Sequence, residues 1–123
     1  MAAPEPLVRR AADVEYDEQD AADGMYKGVL VGPEDGARNY AMRRFRLDPG
    51  TEVPRHTNRV EHEQYVLSGT YTVGIEDEEY TVEPGDSLFI PGGTVHWYKN
   101  ESDDPVSFIC VVPNEDDEIE LRE

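Results

Sequence analysis

Signals for tight turns recur along this chain roughly every eight to twelve residues, and no stretch between them repeats with helical period. Gly32-Pro33, Asp35-Gly36, Asp48-Pro49-Gly50, Ser68-Gly69, Asp77-Glu78, Pro84-Gly85-Asp86 and Pro91-Gly92-Gly93 each combine residues that preset or permit turn backbone. The segments between them are too short for packed helices and several alternate apolar with polar. From Asn39 to Leu47, one face carries Ala41, Arg43, Phe45 and Leu47 and the other Tyr40, Met42, Arg44 and Arg46. Further strands are expected at Tyr26–Val31, Gln64–Leu67, Thr70–Glu76, Glu79–Val82, Ser87–Ile90 and Val106–Val112. This is the pattern of an all-β sandwich or barrel. With 123 residues there is room for one domain with one modest core.

All three histidines fall inside two of these turn-punctuated stretches. His56 and Asn58 are two apart and so share a face on extended chain. Arg59, Val60 and Glu61 turn the chain into His62, which shares its face with Gln64 and Val66, while Glu63, Tyr65 and Leu67 take the other. His96 shares a face with Tyr98, and Phe108 with Cys110. Neutral imidazole is the commonest protein metal ligand, and strands meeting in a small barrel can converge three of them. Asn58 has three readings: a ligand, a hydrogen-bond partner of a ligand, or a turn residue. Glu61 and Glu63 are read as solvated charges. Arg43 is the odd residue on an apolar face. It is either ion-paired at the barrel mouth or an anchor for a substrate carboxylate or phenolate. Cys110 is read first as a small apolar filler.

The two stretches resemble the paired motifs of the cupin superfamily. The first runs Gly50, five residues, His56, one residue, Asn58, three residues, His62, six residues, Gly69; the second runs Gly85, five residues, Pro91, one residue, Gly93, two residues, His96, three residues, Asn100. The commonest first motif has His, His and Glu where this chain has His56, Asn58 and His62. Histidine in place of that glutamate, together with EHEQYVLSG and FICVVPNE, resembles small single-domain cupins whose metal is held by four histidines. The similarity extends from about Gly24 to Pro113. It implies a jelly-roll barrel (double-stranded β-helix), where turn spacing alone would fit lipocalin-like or immunoglobulin-like folds equally. It also implies one divalent transition metal (manganese, iron, zinc, nickel or copper) on His56, His62 and His96 with Asn58. Arg43, Tyr98, Phe108 and Cys110 would then line the pocket, with Arg43, Tyr98 and Cys110 as the catalytic candidates. The four-histidine relatives are associated with manganese and oxidative cleavage. The first expectation is therefore a metal-dependent oxygenase-type enzyme acting on a small aromatic or anionic molecule. Two alternatives stay open: a non-enzymatic metal or small-molecule sensor, and a metal-dependent isomerase.

Composition narrows the partners. Asp and Glu total 28 against 11 Lys and Arg, a formal charge of −17, and Lys27 and Lys99 are the only lysines. So acidic a surface argues against nucleic acid and anionic membrane. High acid with few lysines is also similar to cytoplasmic proteins of salt-accumulating halophiles, whose self-repulsion is screened. A single cysteine precludes an internal disulfide, and MAAPEPLVRR lacks the apolar core of a signal peptide, so a cytoplasmic location is expected. Residues 1–23 read as an acidic arm, or as a short strand around Leu7 and Val8 that pairs with a sheet edge. Residues 24–114 read as the barrel, and 115–123 as a solvated acidic tail. An open sheet edge predicts a homodimer formed through Leu7–Arg10 or Tyr26–Val31.

Overall fold

A computed structural model describes residues 4–115 and 119–122. Among the described residues, eleven strands form two antiparallel sheets: β1 Tyr16–Glu18, β2 Met25–Val31, β3 Tyr40–Leu47, β4 Glu52–Asn58, β5 His62–Ser68, β6 Tyr71–Ile75, β7 Glu78–Val82, β8 Ser87–Ile90, β9 His96–Lys99, β10 Val106–Pro113 and β11 Ile119–Leu121. One sheet has the order β1-β2-β3-β10-β5-β8 and the other β11-β4-β9-β6-β7. The inner faces enclose the core, giving the jelly-roll barrel. Among the described residues, no helix is long and apolar enough to cross a membrane.

Alternation in the sequence becomes alternation in burial. On β5, His62, Gln64 and Val66 are buried while Glu63, Tyr65 and Leu67 are exposed. On β3, Ala41, Phe45 and Leu47 are buried and Arg43 is half-buried beside them. Val66, Val73, Leu47, Val106 and Phe108 pack at the centre. Stacked and tilted aromatic contacts continue from Phe45 to Phe108 (5.4 Å between centroids), and from Phe108 to Tyr98 (5.4 Å) and Tyr71 (5.7 Å). The rings of Phe108, Tyr98 and Tyr71 meet across the two sheets, and each such pair adds about 1 kcal/mol beyond its buried area.

Both chain ends differ from their compositional reading. Leu7 and Val8 are exposed coil, not a strand. The pairing segment lies later: Tyr16 to Glu18 adds to β2 as an edge strand, Tyr16 opposite Gly28. Arg9 fastens the preceding coil, donating to Leu30 O (2.6 Å) and to both oxygens of Asp35 (3.0 and 2.7 Å). The acidic tail contributes β11, paired with β4 in the register Ile119 to Asn58 and Leu121 to His56. Acidic side chains point to water on an edge strand as readily as on free chain, so composition could not separate the two.

Candidate metal centre

Between the sheets lies a cavity of about 290 Å³, and His56, Asn58, His62 and His96 all line it. β4 supplies His56 and Asn58, β9 supplies His96, and β5 opens with His62 from the facing sheet. His56 and His96 are directly opposite in the β4–β9 ladder, after an irregularity that begins beyond Val53. Their ring centroids are 4.2 Å apart, and those of His62 and His96 are 6.1 Å apart. The three rings are only 1–7% exposed.

Local backbone sets the protonation of two rings. His56 Nδ1 lies 2.7 Å from Pro54 O, and His96 Nδ1 lies 2.8 Å from Thr94 O. A carbonyl oxygen can only accept, so in each neutral ring Nδ1 carries the proton and Nε2 the lone pair, the tautomer a metal requires. His62 Nδ1 has a different neighbour, Cys110 Sγ at 3.3 Å. The loops of the two motifs also touch. A Cβ on Gly92 would meet Arg59 O at 2.5 Å, so only glycine lets the 91–94 turn pack on the turn that separates Asn58 from His62. Gly93 N then donates to Asn58 O at 2.8 Å.

Donor chemistry fits a divalent transition metal: three clustered imidazoles, two held as Nδ1–H, with a side-chain amide beside them. The rings are neighbours rather than a finished coordination sphere. Among the described residues, no three His, Cys, Asp or Glu side chains are gathered closely enough to constitute a metal site.

Other residues singled out by sequence divide. Asn58 is the last residue of β4 and lines the cavity; the turn begins after it. Tyr98 lines the cavity and is 4% exposed, its hydroxyl accepting a 2.7 Å bond from Gln64 Nε2. Desolvation pushes its phenol well above the ordinary value, against the opposing pull of the Gln64 bond, so Tyr98 stays neutral and keeps its proton to donate. Burial pushes the Tyr71 phenol up in the same way, helped by neighbouring Tyr98. Arg43 and Phe108 line the wall. Cys110 does not line it: the fully buried thiol sits behind, between His62 Nδ1 and Arg43 Nη2 at 3.4 Å. Glu61 and Glu63 face outward, as expected. The Glu63 carboxyl is raised by desolvation and by adjacent Glu61.

Some lining residues carried little sequence signal. Gln64 was visible as a polar side chain on the inward face of β5, but no motif marked it. Gln19, Asp20 and Ala21 at the mouth come from the arm, and Ile119 comes from the tail. The acidic composition of both segments does not mark a cavity wall.

The Cupin domain family model matches residues 43–112, more than half of the chain. The chain belongs to the cupin family. Among solved cupin-fold structures, the polyketide cyclase RemF from Streptomyces resistomycificus is similar with a TM-score of 0.85 and 26% identity, covering 95% of this chain and 87% of that one. A cupin-2 domain protein from Rhodospirillum rubrum is similar with a TM-score of 0.80 and 20% identity, covering 100% and 84%. A mannose-1-phosphate guanylyltransferase of Salmonella muenchen is 34% identical over 90 residues, which are 68% of this cupin and 19% of the relative. The chain thus spans about a fifth of the length of the curated relatives it matches.

Proposed function

We propose that this cupin is a metal-dependent enzyme acting on a small aromatic or anionic molecule, with oxygenase-type chemistry. The observation that carries the reading is the cluster of three buried imidazoles, two of them fixed as Nδ1–H tautomers by backbone carbonyls. His56, His62 and His96 would hold the metal, with Asn58 as a weaker fourth donor. Manganese, iron, zinc, nickel and copper all suit the imidazoles. The metal would supply a Lewis-acidic centre with an open position for a substrate oxygen or dioxygen, its charge undiminished by any carboxylate ligand.

The chain's own residues shape the rest. Phe45, Phe108, Met25 and Val53 give the cavity an apolar wall against which a planar ring can lie and water is excluded. Gln64 occupies a lone pair of the Tyr98 oxygen, which leaves the Tyr98 proton for a substrate oxygen.

A redox-neutral second reading, ring closure or isomerisation by Lewis-acid catalysis, is favoured by the likeness to the polyketide cyclase. Elemental mass spectrometry of protein purified without added metal comes first; bound transition metal approaching one per chain is expected. Turnover of phenolic and dicarbonyl panels with and without oxygen then separates the two. The oxygenase reading requires oxygen uptake in step with product, whereas undiminished anaerobic turnover replaces it with the redox-neutral one. Absence of transition metal, together with no uptake on reloading, refutes both.

A further inference from the structure

We infer that Arg43 and Gln64 form a two-point recognition element for a single-ring carboxylate that also carries a hydroxyl, the carboxylate on Arg43 and the hydroxyl proton on Gln64. The inference rests on the proposed reading of the cavity as a substrate site, but requires neither metal nor turnover.

Arg43, Cys110 and Gln64 stand in one row across the six-stranded sheet. Cys110 is the register partner of Arg43 on one side and of Gln64 on the other. Both flanking residues line the cavity, while Cys110 sits behind them. The Arg43 guanidinium lies 5.2 Å from the Phe45 ring centroid and donates from Nη2 to Cys110 Sγ at 3.4 Å, a weak acceptor. Its Nε is buried without an acceptor. Among the described residues no carboxylate pairs with it, although the chain has 28 Asp and Glu. In so acidic a protein, an ion-paired arginine is the easy arrangement. A cation on the cavity wall with no carboxylate within ion-pair distance among the described residues is suited to an anion that arrives from outside.

Gln64 is complementary. It is 4% exposed, and its Nε2 is committed to the Tyr98 hydroxyl at 2.7 Å, which fixes the amide plane. Its Oε1 is buried and has no donor. A guanidinium presents its N–H groups as a fork that fits the two oxygens of a carboxylate. A lone amide oxygen accepts from O–H or N–H and repels a second anion. Together they select a ligand that is anionic at one end and a hydrogen donor at the other.

The test is isothermal titration of metal-stripped full-length protein with 3-hydroxybenzoate, 3-hydroxybenzamide and benzoate. Wild type should bind 3-hydroxybenzoate about tenfold or more tighter than its amide, the size expected for a charge-assisted bond. Benzoate, lacking the hydroxyl, should bind several-fold more weakly. Arg43→Gln should erase the acid-over-amide preference. Arg43→Lys should keep only part of it, and Arg46→Gln, which removes the same charge from the outer face, should keep all of it. Urea midpoints confirm that each variant folds, and the wild-type ligand series needs no variant. Equal affinity for acid and amide in wild type overturns the inference, as does a preference that survives Arg43→Gln or vanishes in Arg46→Gln. Because binding is read without metal, selective binding by a protein that never takes up metal would refute the proposed function alone. A metal-loaded, active protein with no acid preference would refute this inference alone.

Discussion

Replacing Asn100, the last residue of the second motif, should cost more stability than any histidine replacement. The side chain is fully buried. Its Nδ2 donates to Leu47 O (3.1 Å), Asp48 O (3.2 Å) and Asp104 O (2.9 Å), and its Oδ1 accepts from Ser102 N (3.0 Å) and Ser102 Oγ (2.6 Å). One amide thus ties the end of β3, the turn into β4 and the 100–105 loop together. Asn100→Ala removes all five bonds; the one to Leu47 O is buried, while the groups nearer the 100–105 loop can recruit water. At about 1 kcal/mol for each bond lost, and less where water takes over, the cost is roughly 3–5 kcal/mol. That is a large part of the 5–15 kcal/mol that stabilises an ordinary domain. With an unfolding entropy of about 2.1 cal/mol/K per residue, the melting temperature should fall by about 15 °C. Asn100→Asp, the same shape with the two donors removed, should do no better, since its oxygen would face three carbonyls. Urea and thermal unfolding at one fixed molar salt concentration, which suppresses the change in net charge, measure both. A fall below about 3 °C for Ala, or an Asp variant as stable as wild type, would refute the reasoning.

At the histidine cluster, His62→Ala should lose metal while Glu63→Ala, altered on the outer face, keeps it; equal loss by elemental analysis would mean the register is misassigned. Asn58→His should tighten metal binding in a chelator competition, and unchanged affinity would remove Asn58 from the donor set. The Arg9 hydrogen bond and charge, reinforced by Gly32 N–H, hold the Asp35 carboxyl at about 2 against its ordinary 3.8. A depressed carboxyl stabilises above its unfolded value and loses that contribution as pH falls through the folded one. The stability difference between wild type and Asp35→Asn should therefore be nearly full above about pH 4, shrink as pH falls, and vanish below about pH 2. Finally, with −17 per chain, the proposed homodimer and the melting temperature should both rise from low to molar salt, where the Debye length is about 3 Å. Light scattering that shows a monomer throughout would exclude the dimer, and a falling melting temperature would exclude the halophile-like reading.

Turn punctuation and period-two alternation made the barrel strands legible before any coordinates. Gly-Pro, Asp-Gly and Pro-Gly pairs act on the backbone locally, and inward residues such as Val66 and Phe108 must be apolar whatever their partners are. The clustering of the three histidines was legible for a related reason, since two turn-bounded stretches bring their inward positions together. Tyr98 bound to Gln64, and Cys110 placed behind His62 rather than in the cavity, were not legible, because both depend on register between strands distant in the chain. The edge strands β1 and β11 were not legible in the arm and tail, because backbone pairing stabilises them and leaves no hydrophobic signature.

Trp97 is the protein's single tryptophan and lies on β9 directly between His96 and Tyr98. Its indole covers Gly74 on the neighbouring strand so closely that a Cβ there would fall 2.0 Å from Cε2 and Nε1. The molecule therefore has one indole emitter, clamped against backbone and one residue from a candidate ligand. Paramagnetic ions such as copper(II) or manganese(II), arriving at His96, would darken that emission, while zinc(II), with its filled d shell, would leave it bright. Uptake of a quenching ion by the cluster, and its rate, would thus be followed optically in the unlabelled wild-type protein.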